Sequence, residues 1–125
     1  DYQLYMNRFS CNHGACDWLI KLKTTHQTIG ILNIYELTRE RYNDFEKQAM
    51  IGYSIGKQFR RKGYATEAVK QLIPHAFTHF NLNKLIANTE KDNFASKELL
   101  LKLDFVEQSK LYYHEKKYDY FELLK

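Results

Sequence analysis

The spacing of apolar residues along the chain alternates between the two-residue period of strands and the longer period of helices. Short apolar runs bounded by polar turns predict strands at residues 18–23, 28–37, 49–55, 84–89, 105–113 and 118–124. Apolar residues recur at helical spacing in 65–80 and 94–103, while 38–48 is a polar loop. The pattern therefore predicts an α/β domain in which two helices are placed among six strands.

The order of these elements predicts how the strands pair. The polar turn 24–27 is the whole connection between the first two strands, which favours an antiparallel hairpin. Strand 49–55, helix 65–80 and strand 84–89 form a βαβ unit, whose strands are parallel and whose crossover is right-handed. Pro74 lies inside the helix and predicts a kink, because its nitrogen has no hydrogen to donate to the preceding turn. A ligand crevice is expected beyond the carboxyl ends of the two parallel strands.

Composition agrees with one folded domain over residues 1–125. The apolar share is 44%, with ten Tyr and eight Phe, which is enough for a packed core. No run of 18 apolar residues is present, so no membrane helix is expected. The net charge of +4 suits anionic ligands but does not by itself favour a nucleic-acid partner. Cys11 and Cys16 do not suggest a disulfide scaffold, and a reducing cytoplasm is the expected location.

The basic turn between strand 49–55 and helix 65–80 is the most informative segment. The first turn of a helix has backbone N–H groups without partners and the positive end of the helix dipole, so it binds anions and phosphates above all. Gly63 and Ala65 leave little side chain in the way of such a ligand. Neither Gly-x-x-x-x-Gly-Lys-Ser/Thr nor Gly-x-Gly-x-x-Gly is present. The turn runs Arg60, Arg61, Lys62, Gly63, Tyr64, Ala65, Thr66.

This turn resembles the pyrophosphate loop of the GCN5-related N-acetyltransferase (GNAT) family, whose pattern is Gln/Arg-x-x-Gly-x-Gly/Ala. Taken alone, the six residues also fit an ordinary basic helix start. Residues 87–96 resemble the end of the family's fifth strand and its Asn-x-x-Ser helix start, and 99–105 resemble the segment that ends in its Leu-Gly-Phe turn. The runs 51–55 and 63–68 are similar to the branch of ribosomal-protein alanine N-acetyltransferases.

The resemblance implies a GNAT fold, with a mixed, mostly antiparallel sheet, one splayed parallel pair and flanking helices. Family members usually have another strand and one or two helices before the hairpin. Only sixteen residues precede the hairpin here, so we expect those elements to be missing. Asp104 stands where the family has Gly, which requires Asp to accept a left-handed backbone.

The resemblance also implies acetyl-CoA as co-substrate and no metal. Backbone N–H groups of 61–66 would hold the pyrophosphate, and the main chain near Tyr53 and Ile55 would pair with the pantetheine arm. Asn93 would bind the pantetheine, cap the following helix, or do both, and Lys91, Lys97 or Lys102 could screen the 3′-phosphate. The implied cofactor-binding residues are Tyr53, Ile55, Arg60, Arg61, Lys62, Gly63, Tyr64, Ala65, Thr66, Asn93 and Ser96.

Two catalytic positions depart from the family. Many relatives have a Tyr acid where this chain has Leu100, and some have a Glu base near the position of Ala49. The remaining candidates are Ser96, Tyr53 and Glu36, and each also has a structural interpretation. Ser96 could bond to the start of its helix, Tyr53 could line the pocket, and Glu36 could be a solvated strand end.

The expected activity is acetyl transfer to a primary amine by direct attack in a ternary complex. The sequence offers no strong base. An α-amine, with a pKa of about 7.7, is neutral at pH 7 to a larger extent than a lysine side chain, with a pKa of about 10.4, and is therefore easier to acetylate. A protein N-terminus or a small amine is therefore the favoured acceptor. Two alternatives stay open: a CoA-binding module without catalysis, and acetylation of an aminoacyl-tRNA. A homodimer is compatible with each of these functions. His75 and His79 have a spacing that can hold zinc, but the sequence shows no further ligands for the ion.

Overall fold

Apolar residues at alternate positions build one twisted sheet in the computed structural model, which describes residues 2–12, 14–37, 47–108 and 118–125. Its strands are β1 (Leu4–Asn12), β2 (Ala15–Leu22), β3 (Thr28–Tyr35), β4 (Gln48–Ile55), β5 (Lys84–Glu90), β6 (Val106–Glu107) and β7 (Tyr118–Leu124). The described residues also form helices α1 (Tyr64–His79) and α2 (Phe94–Lys102), and a short 3₁₀ helix, Lys57–Phe59. In the predicted strand 105–113, residues 109–113 lie outside the described residues, as do residues 38–46 of the predicted loop.

The sheet is mixed, with the strand order β1-β2-β3-β4-β5-β7-β6. Neighbouring strands are antiparallel except β4 and β5, which are parallel over three residue pairs that end at Met50↔Ile86. Beyond that pair both strands continue without pairing to each other within the described sheet, so the sheet splays open there. The hairpin, the βαβ unit and the splayed parallel pair predicted from the sequence are confirmed.

The core lies between the sheet and one side of α1. Helical spacing places five buried residues of α1 on that side, namely Ala68, Val69, Leu72, Ala76 and Phe77. They pack with buried strand residues, among which Phe121 of β7 is the largest that is fully buried. Leu99 and Leu100 of α2 complete the same cluster. The helix continues through Pro74 to His79.

The segment before the hairpin forms an edge strand, β1, which corrects the expectation that the strand preceding the hairpin is missing and which the apolar pattern did not predict. Its alternation is weak, because four polar residues interrupt the apolar ones. Polar contacts from α1 add to the burial of Leu4 at its start: the Glu67 carboxylate accepts hydrogen bonds from the backbone N–H groups of Gln3 (3.1 Å) and Leu4 (2.8 Å). Gln71 Nε2 donates to the carbonyl oxygen of Leu4 at 3.1 Å. Glu67 thus does more than complement the helix dipole.

The two cysteines are joined, which corrects the expectation that they would stay unpaired. Cys11 of β1 lies directly across from Cys16 of β2 in the antiparallel register, and a disulfide links them. The pairing could not be expected from the sequence because it depends on β1.

No helix in the described part of the chain combines the length and the apolar character needed to cross a membrane.

Candidate active site

A cleft of about 800 Å³ opens where β4 and β5 separate. The end of β4, the basic turn, the start of α1, the end of β5 and the start of α2 all line it. Lys62 and Glu36 are not among its lining residues. The predicted site residues that do line it are Tyr53, Ile55, Arg60, Arg61, Gly63, Tyr64, Ala65, Thr66, Asn93 and Ser96.

The basic turn presents backbone N–H groups in a concave arrangement. Arg61 and Gly63 both have left-handed backbone conformations, with φ of 63° and 81°, and Gly63 is the N-cap of α1. Turns with alternating handedness direct successive N–H groups to one point and bind anions. A Cβ built on Gly63 would meet no atom within 4 Å, so the space in front of the backbone is open. Geometry and charge together make this end of the cleft suitable for an anionic ligand.

Arg60 has a different role from its neighbours in the turn. Its Nε donates a hydrogen bond to the carbonyl oxygen of Ile55 at 2.9 Å. That bond ties the turn to the last residue of β4 and fixes where the turn starts. Arg60 therefore positions the anion site in addition to contributing positive charge.

The outer half of β4 has one unpaired backbone edge. Residues 51–55 pair with β3 on one side, up to Gly30↔Ile55. On the other side, where β5 has separated, the described sheet supplies no partner strand. Such an edge can bind an extended amide-containing ligand in the way that a sheet adds a strand. The edge runs toward the basic turn, so one long ligand can contact both.

Tyr53 and Ser96 join β4 to α2 inside the cleft. Their hydroxyl groups form a hydrogen bond to each other. Burial raises the pKa of Tyr53 above its usual value, and the bond to Ser96 acts in the opposite direction. Tyr53 is therefore protonated at neutral pH.

Asn93 caps the helix that carries Ser96. Its Oδ1 accepts a hydrogen bond from the backbone N–H of Ser96 at 3.2 Å. The capping interpretation is thus confirmed, while a contact to pantetheine stays a prediction. Lys97, on the same helix, forms an ion pair with the buried Asp119 of β7, which draws its ammonium group toward the sheet.

The positions of the missing acid and base are both in the core. Leu100 is 0% exposed and Ala49 is 1% exposed. Glu36 lies just beyond β3 with a φ of 53° and is exposed. Burial and then the charge of Glu36 raise the pKa of Tyr35, which lines the cleft.

Several cleft residues were not singled out from the sequence: Tyr35, Asn88, Thr89 and Tyr118. They lie on strands that the sequence predicted, at positions where alternation alone does not identify the face toward a ligand. Tyr118 reaches the cleft because β7 is inserted between β5 and β6. The order of neighbouring strands carries no local sequence signal.

The strand order, the splayed parallel pair and the basic turn at the start of α1 define the class of fold to which the chain belongs. Residues 2–106 match the acetyltransferase (GNAT) domain family. The chain therefore belongs to that family, and the resemblance seen in its sequence is confirmed.

Individual proteins agree with this assignment. The chain is 34% identical over 111 residues to the uncharacterized N-acetyltransferase p20 of Bacillus licheniformis, which covers 89% of this chain and 60% of p20. Its fold is similar to Mycobacterium smegmatis RimJ in complex with CoA-disulfide (TM-score 0.75, 22% identity, 89% of this chain and 53% of RimJ). It is also similar to Campylobacter jejuni PseH in complex with acetyl coenzyme A (TM-score 0.74, 19% identity, 91% and 70%). The chain spans 50% to 60% of the length of p20 and of the Bacillus subtilis relative YoaA.

Proposed function

We propose that this chain is the catalytic domain of an acetyl-CoA-dependent N-acetyltransferase that acetylates a primary amine. The observation that carries the proposal is the continuity of the cleft. The free edge of β4 leads to the N-terminus of α1, where the backbone N–H groups of the basic turn lie. An elongated ligand with amides at one end and phosphates at the other fits both features.

The residues present fit acetyl-CoA. The backbone of 61–66 would hold the pyrophosphate, with Arg61 and Lys62 adding positive charge, and the edge of β4 at Tyr53 and Ile55 would pair with the pantetheine amides. When bound, acetyl-CoA supplies an activated acetyl thioester. RimJ and PseH, which share the fold, have been crystallised with CoA-disulfide and with acetyl coenzyme A respectively, which supports this assignment.

The hydroxyl pair of Tyr53 and Ser96 would hold the proton that the departing thiolate needs. Both oxygens are in the cleft, and Tyr53 remains protonated at neutral pH. Tyr53 would thereby replace the acid that the chain lacks at Leu100. It would donate the proton from β4, whereas Leu100 is on α2. Donation from one member of the pair leaves the other to stabilise the resulting oxygen by its hydrogen bond.

The favoured acceptor is the α-amine of a protein N-terminus or a small amine of similar basicity. Glu90 and Glu98 are the carboxylates among the described residues that line the cleft, and both belong to exposed residues. An exposed carboxylate is a weak base, whereas an α-amine with a pKa of about 7.7 is already partly neutral at pH 7. Positioning is then the main contribution of the protein.

A non-catalytic CoA-binding module is the second candidate. The buried apolar side chains at Leu100 and Ala49 favour it, because both family catalytic positions are part of the core. Such a module would bind acetyl-CoA in the same cleft as an acetyltransferase but would not transfer the acetyl group.

Acceptor-dependent release of thiol from acetyl-CoA tests the proposal in the full-length protein. We expect a higher rate with peptide N-termini than with internal lysines. Tyr53→Phe should lower kcat about 100-fold with little change in acetyl-CoA affinity, the range expected for loss of a general acid. Tyr2→Phe, a matched change at an exposed tyrosine, should leave the rate unchanged.

Gly63→Trp serves as the control for the cofactor loop, because its bulky side chain would fill the open space of the anion site. Acetyl-CoA binding without thiol release for any amine would favour the binding module. Absence of binding would contradict both candidates.

A further inference from the structure

A buried hydroxyl group in the cleft is left without a hydrogen bond. Thr89 of β5 is 4% exposed, and it lines the cleft. Its Oγ1 has no hydrogen-bond partner among residues 2–12, 14–37, 47–108 and 118–125. Leaving such a group unsatisfied typically costs about 1–3 kcal/mol. A polar side chain kept at this cost inside a ligand cleft points to a partner that arrives with the ligand.

The strand register shows on which face of the sheet Thr89 lies. Ala49 and Leu85 are partners in the parallel ladder, and Tyr53 and Thr89 each lie four residues further along. Because side chains alternate with a period of two, Tyr53 and Thr89 are on the same face of the sheet. This is the face where Ser96 of α2 contacts Tyr53.

Neighbouring groups in the described structure do not satisfy Thr89. The residue opposite it on β7 is Asp119, but the Asp119 carboxylate pairs with Lys97 of α2. The hydroxyl groups of Tyr53 and Ser96 bond to each other. Thr89 is therefore the member of this hydroxyl cluster whose oxygen has no hydrogen-bond partner among the described residues.

We propose that Thr89 Oγ1 donates a hydrogen bond to a carbonyl oxygen of bound acetyl-CoA. This inference rests on the proposed function. A carbonyl oxygen only accepts hydrogen bonds, and the hydroxyl can donate one, so the two are complementary. A rotation of about 120° about the Cα–Cβ bond moves the Thr89 hydroxyl group to another staggered position, from which its oxygen can bond to a group in the cleft.

Two carbonyl groups of the ligand have the required chemistry: the acetyl thioester and the pantetheine amides. Calorimetric titration of the full-length protein with acetyl-CoA and with CoA separates them. Thr89→Val, which keeps the shape and removes the hydroxyl, should weaken acetyl-CoA binding about 3- to 10-fold, as expected for one neutral hydrogen bond. Thr89→Ser, which keeps the hydroxyl, should retain most of the affinity.

The two ligands identify the oxygen. Weaker binding of acetyl-CoA alone assigns the thioester carbonyl, and equally weaker binding of CoA assigns a pantetheine amide. Unchanged affinity for both ligands in Thr89→Val would overturn the inference. Wild-type protein that binds neither ligand would instead overturn the proposed function.

Thermal unfolding of the ligand-free protein gives a second readout. If Thr89 has no partner, Thr89→Val should leave Tm equal to or above that of the wild type, since an unsatisfied polar group is removed. A lower Tm would mean that the hydroxyl has a partner inside the free protein, which contradicts the inference. Thr78→Val is the matched control, because the Thr78 hydroxyl donates to the carbonyl oxygen of Pro74 at 2.7 Å on an exposed part of α1. It should not change the affinity for either ligand.

Discussion

Left-handed backbone conformations at single residues shape the anion site and the turn after α2. Arg61 has a φ of 63° and Gly63 has a φ of 81°. Asp104, which stands where the family pattern has Gly, has a φ of 71°, as expected from its sequence position. A side chain at such a φ costs about 1–2 kcal/mol for most residues and less for Asp. The chain therefore tolerates backbone strain at Arg61, within the turn that is proposed to hold the pyrophosphate.

Substitutions at Gly63 and Arg61 should have opposite effects on stability. Gly63→Ala should destabilise the protein by about 1 kcal/mol through its backbone conformation, because the added Cβ meets no atom. Arg61→Gly relieves a similar strain, and the greater freedom of the unfolded chain offsets part of the gain. Urea unfolding of both variants measures the difference. A loss of stability in Arg61→Gly would show that the Arg61 side chain makes stabilising contacts that outweigh its backbone strain.

At the scale of elements, the position of β1 depends on α1 as well as on its neighbouring strand. Glu67 and Gln71, on the first two turns of α1, bond to the backbone of residues 3 and 4. These bonds add to the core contacts of the buried Leu4. The same helix therefore forms the anion site at its start and anchors the edge of the sheet.

Loss of the Glu67 charge should loosen the start of β1. In Glu67→Gln, the side-chain amide retains one oxygen that can accept a hydrogen bond, and the two backbone bonds can no longer both be charge-assisted. Hydrogen exchange at the amides of Gln3 and Leu4 should become about 10- to 100-fold faster, in line with about 1.5–3 kcal/mol for a bond to a charged group. Glu107→Gln, a matched change at an exposed position on β6, should not alter these two amides. Equal protection in both variants would show that strand pairing alone holds β1.

Local sequence patterns predicted most elements but not the contacts between distant ones. Predicted helix 65–80 corresponds to α1 (Tyr64–His79), and predicted strand 118–124 is β7. The apolar period determines these elements directly. β1 lacks that period and is held by Glu67, 63 and 64 residues away along the chain. No window of neighbouring residues contains such information.

The candidate site was predictable to a similar extent. The basic turn could be recognised from a few neighbouring residues, because the glycine and the basic side chains proposed to bind the anion are adjacent in the sequence. The Tyr53–Ser96 bond joins residues 43 positions apart, and the unpaired Thr89 hydroxyl is visible only once the neighbours of β5 are known. The acceptor has no comparable signature, because its selection depends on side chains from several strands.

At the scale of the whole molecule, an aromatic cluster joins the far end of α1 to the sheet. The rings of His75 and His79 stack at 4.8 Å, and Trp18 and Phe80 each contact His75 edge to face. Burial, then His79 and then Arg8 of β1 lower the pKa of His75. The cluster therefore favours an uncharged His75 in the folded protein.

The contribution of His75 to the free energy of unfolding should consequently decrease on acidification. Because the folded-state pKa of His75 is below the unfolded value of about 6.5, its contribution is complete above that pH and is lost as the pH falls toward the folded-state pKa. The free energy of unfolding should therefore differ less between pH 7.5 and pH 5.5 in His75→Gln than in the wild type. Denaturant unfolding at both pH values measures this, and an identical pH difference in the two proteins would contradict it.

The edge of β4 that is free to bind a cofactor is also free to bind another polypeptide. Unpaired strand edges are templates for association between chains, and proteins usually protect them. In this fold the natural cover would be the cofactor itself, so filling the cleft would also prevent self-association. Ligand-free protein should then be the form that aggregates on storage, and the cellular supply of acetyl-CoA would help to keep the folded domain monodisperse.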